Sequence, residues 1–182
     1  MSKPKIEDLK NMTHTEASEV SVSEQPSDTV SSTMVYPCML GSMIDDPAFD
    51  GLVAEYAEEC KMRGMPEPEW AREMYEGMEQ MGIVQCLVLR DLEFRMVGFS
   101  VLFCTVVPHY SKLVVTTESL FVTKEHRKGG GGMKLIKAIE GHAKNIGAVG
   151  LLLSAPEGGS LAQVAPKIGY THASNVFFKG LT

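Results

Sequence analysis

Apolar and polar residues alternate in several short stretches of this chain, and these stretches predict β-strands at 35–40, 83–90, 94–107, 113–122 and 149–154. Apolar residues at helical spacing predict helices at 47–61 and 69–82, from the glycine run to about 145, and at 160–168. A last strand pair, ending at 176–179, is expected after Gly169-Tyr170. A helix crosses between strands 113–122 and 149–154, so these two strands should be parallel. The order of strands and helices along the chain therefore predicts an α/β protein.

The first 33 residues differ from the rest of the chain. They contain no aromatic residue and are rich in Ser and Thr with scattered acids. Such a segment cannot bury enough apolar surface to offset its ordering entropy, so residues 1–33 are expected to be a disordered tail. A segment that folds on a partner is the alternative. Residues 34–182 are expected to form one domain.

Composition narrows the classes of partner. The net charge is −6 with no cluster of Lys or Arg, which argues against nucleic acid and suits cationic acceptors such as amines. No apolar run approaches the ~20 residues of a membrane span, and the N-terminus lacks a secretion signal. The cysteines form no C-x-x-C pair and have no His at metal spacing, so free thiols and no metal site are expected. The sequence therefore predicts a soluble protein of the reducing cytoplasm without a membrane partner.

A glycine run lies between the predicted strand 113–122 and a helix, and it reads Arg127-Lys128-Gly129-Gly130-Gly131-Gly132-Met133. Glycines that open a helix let backbone N–H groups approach phosphate, which the positive end of the helix dipole also attracts. Gly132 is not followed by Lys-Ser/Thr, which excludes a Walker A loop. A dinucleotide fingerprint would need its third glycine at Leu135, and the antiparallel hairpin before it does not suit that fold.

The spacing Arg127-x-x-Gly130-x-Gly132 fits R/Q-x-x-G-x-G/A, the acetyl-CoA-binding motif of the GNAT N-acetyltransferases, which this chain resembles. The strand and turn 118–127, Val97-Gly98-Phe99 and Lys167-Ile168-Gly169-Tyr170 are also similar to segments of that family. The resemblance covers about residues 34–180. It implies the GNAT acyl-CoA acyltransferase fold, with a mixed central sheet and helices on both faces, and acetyl-CoA as acyl donor without a metal.

The resemblance also implies where acetyl-CoA binds. The pyrophosphate would be surrounded by backbone N–H groups of Lys128, Gly129, Gly130, Gly131, Gly132 and Met133. The side chains of Arg127 and Lys128 would neutralise its charge, while Gly129 and Gly131 would add only backbone freedom and mobility. Exposed backbone at Phe121, Val122 and Thr123 would pair with the pantetheine arm, in a cleft between 113–122 and 149–154.

Acetyl transfer to an amine requires a base, and Glu118 would lie beside the thioester in that cleft. A charge on the sheet face without chemistry is the alternative for Glu118. The tyrosine that serves as acid in many members of the family is replaced by Ala165, and Ser154, Ser160 or a water are the remaining candidates.

The acceptor side of the site is less defined. The stripe Trp70, Met74, Met78 and Met81 is interpreted first as a core face, and the 62–65 loop as a region that accommodates the acceptor.

These features predict an acetyl-CoA-dependent N-acetyltransferase, in which an amine of a small molecule or protein attacks directly in a ternary complex. A non-catalytic GNAT-like CoA-binding or interaction module is the alternative, because the tyrosine is missing. The third hypothesis is that the glycine run binds the phosphate of another nucleotide. A second copy of the chain is counted among the potential partners.

Overall fold

A computed structural model of the chain describes residues 32–61 and 70–181. Five strands form one sheet in the order β1 (Met34–Cys38), β2 (Val84–Arg90), β3 (Met96–Val107), β4 (Lys112–Val122) and β5 (Gly150–Leu152). The first four pair antiparallel, whereas β5 pairs parallel to β4, as its crossover helix predicts. The predicted tail, apart from Ser32 and Thr33, and the 62–65 loop lie outside the described residues.

The described helices are α1 (Leu40–Ile44), α2 (Phe49–Cys60), α3 (Arg72–Gln80), α4 (Lys124–Arg127), α5 (Gly131–Asn145) and α6 (Ser160–Val164). Of these, α2, α3, α5 and α6 lie close to their predicted positions. A 3₁₀ turn at Ala165–Ile168 follows α6 and contains the proline that cannot continue an α-helix. The sequence does not predict α1 or α4, which are too short to show an apolar period.

Two apolar clusters cover the two faces of the sheet. One packs Met43 of α1 and Phe49 and Leu52 of α2 against Val88 and Phe99 of the sheet. The other packs Leu135, Ile139 and Ala143 of α5 against Leu89 and Val115. Helices therefore lie on both faces, and the predicted mixed α/β architecture is confirmed.

The predicted methionine stripe of α3 is only partly buried. Trp70 and Met78 pack against the first cluster, but Met74 and Met81 are 54% and 68% exposed. Tyr75 takes the inward place, because it lies three residues before Met78 and so shares its face of the helix. The interpretation of all four residues as one core face is wrong at those two methionines.

The predicted last strand pair is also wrong. Residues 170–181 have no regular secondary structure, and Val176, Phe177 and Leu181 are each at least 90% exposed. Strand propensity needs a neighbouring strand to satisfy the backbone, and no described strand pairs with this segment. The last side-chain hydrogen bond between this end of the described chain and α5 is donated by the Tyr170 hydroxyl to Glu140 Oε1 at 3.0 Å.

Among residues 32–61 and 70–181, none of the helices is both long and apolar enough to cross a membrane. The same residues contain no group of three or more His, Cys, Asp or Glu side chains placed to hold a metal ion. All four cysteines are free thiols, and Cys86 and Cys104 are buried in strands as predicted.

Candidate active site

The cleft forms where β4 and β5 stop pairing. Their parallel ladder joins Val114–Thr116 to Gly150–Leu152 and goes no further. One contact follows it, in which the Ser154 N–H donates to Thr117 Oγ1 at 2.9 Å. Beyond that point β4 continues to Val122 without a parallel neighbour among the described strands. The two strands therefore separate, and one edge of β4 is left open beyond Thr117.

The open edge presents different residues from those predicted. The Thr123 N–H donates to the Val97 carbonyl and the Thr123 carbonyl accepts from the His126 N–H, both at 3.0 Å. Alternation along an antiparallel pair directs the peptide groups of Phe121 to β3 as well. The expected free backbone at Thr123 and Phe121 is therefore wrong. The peptide groups of Leu120 and Val122 face the cleft instead. The cleft-facing positions are thus shifted by one residue from the prediction, and this shift depends on the pairing register of β4 with β3.

Close contact of β3 and β4 fixes that register. A Cβ added at Gly98 would lie 2.7 Å from the Phe121 carbonyl oxygen and 3.0 Å from Val122 Cγ2. Real Cβ atoms do not approach backbone so closely, so only glycine fits here. The glycine of Val97-Gly98-Phe99 thus holds β4 in the position that aims Leu120 and Val122 at the cleft.

A β-bulge places Glu118 at the cleft. Ser119 lies opposite Val101 and Thr117 lies opposite Leu102, so Glu118 is an extra residue without a partner on β3. The Val101 N–H donates to Ser119 Oγ at 3.2 Å, and Ser100 Oγ donates to the Ser119 carbonyl at 2.7 Å. These serine hydroxyls replace the ladder bonds that the bulge interrupts. Bulges re-aim side chains and are frequent beside active sites, which fits the predicted position of the base.

The carboxylate of Glu118 lies among aromatic side chains of α2 and α3. Tyr75 Oη donates to Glu118 Oε1 at 3.2 Å. Glu118 Oε2 is buried and has no hydrogen-bond partner among the described residues. Burial raises the pKa of Glu118 above its ordinary value, against the hydrogen bonds from Ser119 and Tyr75, which lower it. A carboxylate with one free oxygen and a raised pKa is suited to accept a proton.

The glycine run forms the turn into α5. Gly130 has a φ of +80° and its N–H donates to the Arg127 carbonyl at 3.1 Å. The first bond along α5 runs from the Lys134 N–H to the Gly130 carbonyl at 3.0 Å. The N–H groups of Gly131, Gly132 and Met133 therefore have no carbonyl of their own helix to bond. These donors lie at the positive end of a helix of 15 residues, where an anion would be favoured, and binding of phosphate there stays a prediction.

The individual glycines have different roles from those predicted. A Cβ at Gly131 would lie 2.8 Å from the His126 carbonyl oxygen and 3.0 Å from Leu89 Cδ2, so this glycine is required by packing. The interpretation of Gly131 as extra freedom is wrong, because the start of α5 lies directly against the preceding turn. Apart from its chain neighbours and the backbone of α5, no atom of the described residues lies within 4 Å of a Cβ built at Gly132, so this side of the helix faces open space.

Arg127 braces this turn. Its Nε donates to the Val122 carbonyl at 2.6 Å, and its Nη2 donates to both oxygens of Glu59 at 2.9 and 2.8 Å. The guanidinium also lies over the Phe121 ring, 5.4 Å from its centre. The charge of Arg127 is thus already paired with α2, whereas Lys128 is exposed. Neutralisation of phosphate by either side chain stays a prediction.

The structure does not supply the missing acid at the predicted positions. Ala165 begins the 3₁₀ turn, and Ser154 and Ser160 are both exposed. The tyrosine that the structure does place at Glu118 is Tyr75, which the sequence interpretation omitted. Its helical spacing from Met78 was the available signal, but its contact with a residue 43 positions away depends on the tertiary fold.

Comparisons with known proteins agree with this geometry. No protein-family model matches the sequence, and no curated protein matches it either. Solved structures do match. The ribosomal-protein-alanine N-acetyltransferase from Brucella melitensis biovar Abortus 2308 has 20% identity and a TM-score of 0.62, over 81% of this chain and 98% of that chain. Glucosamine-6-phosphate N-acetyltransferase from Arabidopsis thaliana has 12% identity and a TM-score of 0.62, over 83% and 99%.

A third similar structure is the aminoglycoside acetyltransferase meta-AAC0020 from an uncultured soil metagenomic sample. It has 16% identity and a TM-score of 0.61, over 81% of this chain and 95% of that chain. These neighbours are consistently GNAT-type acetyltransferases, so the chain has the GNAT fold. The resemblance predicted from Arg127-x-x-Gly130-x-Gly132 is confirmed at the level of the fold.

Proposed function

We propose that this protein is an acetyl-CoA-dependent N-acetyltransferase that transfers an acetyl group to an amine by direct attack in a ternary complex. The observation that carries the proposal is the position of Glu118, on a β-bulge at the point where β4 leaves β5. The proposed anion site at the start of α5 follows β4 after the one-turn helix α4. A carboxylate and an anion site beside one open strand edge are what this reaction requires.

The residues of the cleft fit acetyl-CoA. The unused N–H groups of Gly131, Gly132 and Met133 would hold its pyrophosphate, with open space beside Gly132 for the approach. The peptide groups of Leu120 and the N–H of Val122 would pair with the amides of the pantetheine arm, since the Val122 carbonyl already accepts from Arg127. When bound, acetyl-CoA supplies an acyl group activated as a thioester.

The role of Glu118 follows from its surroundings. An ammonium group cannot attack until it loses a proton, and Glu118 Oε2 is the oxygen without another partner. The raised pKa brings this base closer to neutrality, where proton transfer is more efficient. The acceptor is therefore proposed to be a primary amine, of a small molecule or of a protein.

The test has two stages. Calorimetry first measures the affinity of the full chain for acetyl-CoA, with desulfo-CoA analogues and ATP as controls for the nucleotide part. Release of free thiol is then followed across a panel of small amines and of peptides with free N-termini or lysines. Binding with amine-dependent thiol release supports the proposal, and failure to bind acetyl-CoA would refute it.

One observation favours a second candidate. Position 165 carries an alanine where many members of the family have the acid, and no hydroxyl of the predicted substitutes is buried at the cleft. A non-catalytic CoA-binding module would bind acetyl-CoA in the first stage and release no thiol in the second. The same experiment therefore separates the two functions.

A further inference from the structure

Tyr75 is held rigidly where it meets Glu118. Its ring stacks on Phe103, with centroids 6.4 Å apart and planes at 18°, and lies 5.3 Å from the Trp70 ring. Its hydroxyl bonds Oε1 of Glu118 and leaves Oε2 without a partner among the described residues. The two carboxylate oxygens of Glu118 therefore differ, because Oε1 accepts a hydrogen bond and Oε2 has no partner among the described residues.

We propose that Tyr75 is a positioning residue for Glu118, which fixes Oε1 so that Oε2 is the oxygen that receives the proton of the acceptor amine. This inference rests on the proposed function. A carboxylate on an unpaired bulge residue could otherwise rotate between its oxygens. A hydroxyl fixed by aromatic stacking removes that rotation and sets the direction from which the amine approaches.

The hydrogen bond also has an electrostatic consequence. Burial is the main cause that raises the pKa of Glu118, and the hydrogen bonds from Ser119 and Tyr75 oppose it. Burial and the neighbouring carboxylate raise the pKa of Tyr75 to about 12, so its hydroxyl stays protonated and donates throughout the physiological range. The other titratable groups that interact with Glu118 are Tyr56 of α2 and Cys86 of β2, whose pKa values are both raised, chiefly by burial. Both are therefore neutral, so neither places a charge beside the Glu118 carboxylate.

Tyr56 provides a matched control. Its ring packs edge-on against Phe99 and Phe121, with centroids 5.9 and 6.2 Å away, in the same aromatic cluster. Its hydroxyl hydrogen-bonds Cys60, and its interaction with the Glu118 carboxylate is through charge without a hydrogen bond. Tyr56→Phe and Tyr75→Phe therefore remove the same atom from the same cluster, but only the second removes a bond to Glu118.

The decisive measurement is the titration of the Glu118 side-chain carboxyl by NMR in the protein without ligand, with the signal assigned by its loss in Glu118→Gln. Removal of a donor to a carboxylate disfavours the charged form, so Tyr75→Phe should raise the Glu118 pKa by about one unit. Tyr56→Phe should leave it at the wild-type value. An unchanged pKa in Tyr75→Phe, or equal shifts in both variants, overturns the inference.

Kinetics on an amine identified by thiol release gives the second readout. In the dependence of kcat on pH, the acidic limb should move to higher pH in Tyr75→Phe, by the pKa shift that NMR measures. The KM for acetyl-CoA should stay constant. A limb that does not move shows that Tyr75 does not act through Glu118 in the reaction and overturns the proposal. If the wild-type protein releases no thiol, the proposed function fails, and the NMR result still decides whether Tyr75 holds the carboxylate.

Discussion

Glu118 is placed where its charge is unfavourable, although the proposed reaction requires that charge. Burial raises the pKa of its carboxyl, and one of its oxygens has no partner among the described residues. A residue kept only for stability would not be left in this state, because an unsatisfied buried oxygen costs free energy. The arrangement is that of a site where stability is given up for reactivity.

Substitution of the base tests the chemistry directly. Glu118→Gln keeps the size of the side chain and can still accept from Tyr75, but it cannot take a proton. Turnover should fall roughly 10²-fold while the affinity for acetyl-CoA stays unchanged. Steady-state thiol release and calorimetry measure the two quantities. Glu73→Gln, at an exposed position in the first turn of α3, is the control and should retain wild-type turnover.

The same variant has a second, independent effect on stability. Because the folded pKa of Glu118 is raised above its unfolded value, the protein loses stability as pH rises through the folded pKa. Gln is neutral at every pH, so Glu118→Gln avoids this loss. The difference in Tm between variant and wild type should be more favourable to the variant at about pH 8 than at about pH 4. Equal differences at both pH values would show that the carboxyl is not destabilised when charged.

At the scale of elements, the glycine turn and α5 give a matched pair of substitutions. Gly131→Ala places a Cβ 2.8 Å from the His126 carbonyl oxygen and should destabilise the fold by about 1–3 kcal/mol. Gly132→Ala meets no atom within 4 Å, so its stability should be equal to or above that of the wild type. The Gly132 variant should instead weaken acetyl-CoA binding, because its methyl group occupies the side from which phosphate approaches. Denaturant unfolding and calorimetry separate these effects, and equal destabilisation by both variants would contradict the assignment.

The elements themselves could be predicted because their signals are local. The β-branched run before the glycines, the apolar spacing at Leu135 and Ile139, and the glycine motif are all contained in short windows. The bulge at Glu118 could not be predicted, because it arises from the pairing of β3 with β4. The roles of Leu120, Val122 and Gly131 depend on the same register and packing. Tyr75 was missed for a related reason, since its partner lies 43 residues away.

At the scale of the whole molecule, the C-terminal segment stands apart from the two apolar clusters. No residue of 171–181 is buried, and it contributes no described strand. Its apolar side chains have a high strand propensity, which led to the prediction of a strand pair, but in the structure these side chains are exposed. They also provide apolar surface to which a second copy of the chain could bind.

Removal of residues 171–182 tests whether the domain depends on this segment. Because none of the described residues in it is buried, the truncated protein should unfold at nearly the wild-type temperature. Its tendency to associate at high concentration should fall, as Val176, Phe177 and Leu181 are removed. Calorimetric unfolding and sedimentation velocity measure these two properties. A large loss of Tm would show that the segment belongs to the folded core.

The bond network of Arg127 has a consequence for the rate of binding. Arg127 joins the Val122 carbonyl at the end of β4 to Glu59 of α2, so side-chain bonds to two elements brace the turn before α5. A site that is already ordered has no rearrangement to complete after a ligand arrives. If this turn holds the phosphate of the proposed cosubstrate, we expect association to be limited by diffusion and orientation, and differences in affinity among ligands to arise from how fast each one leaves.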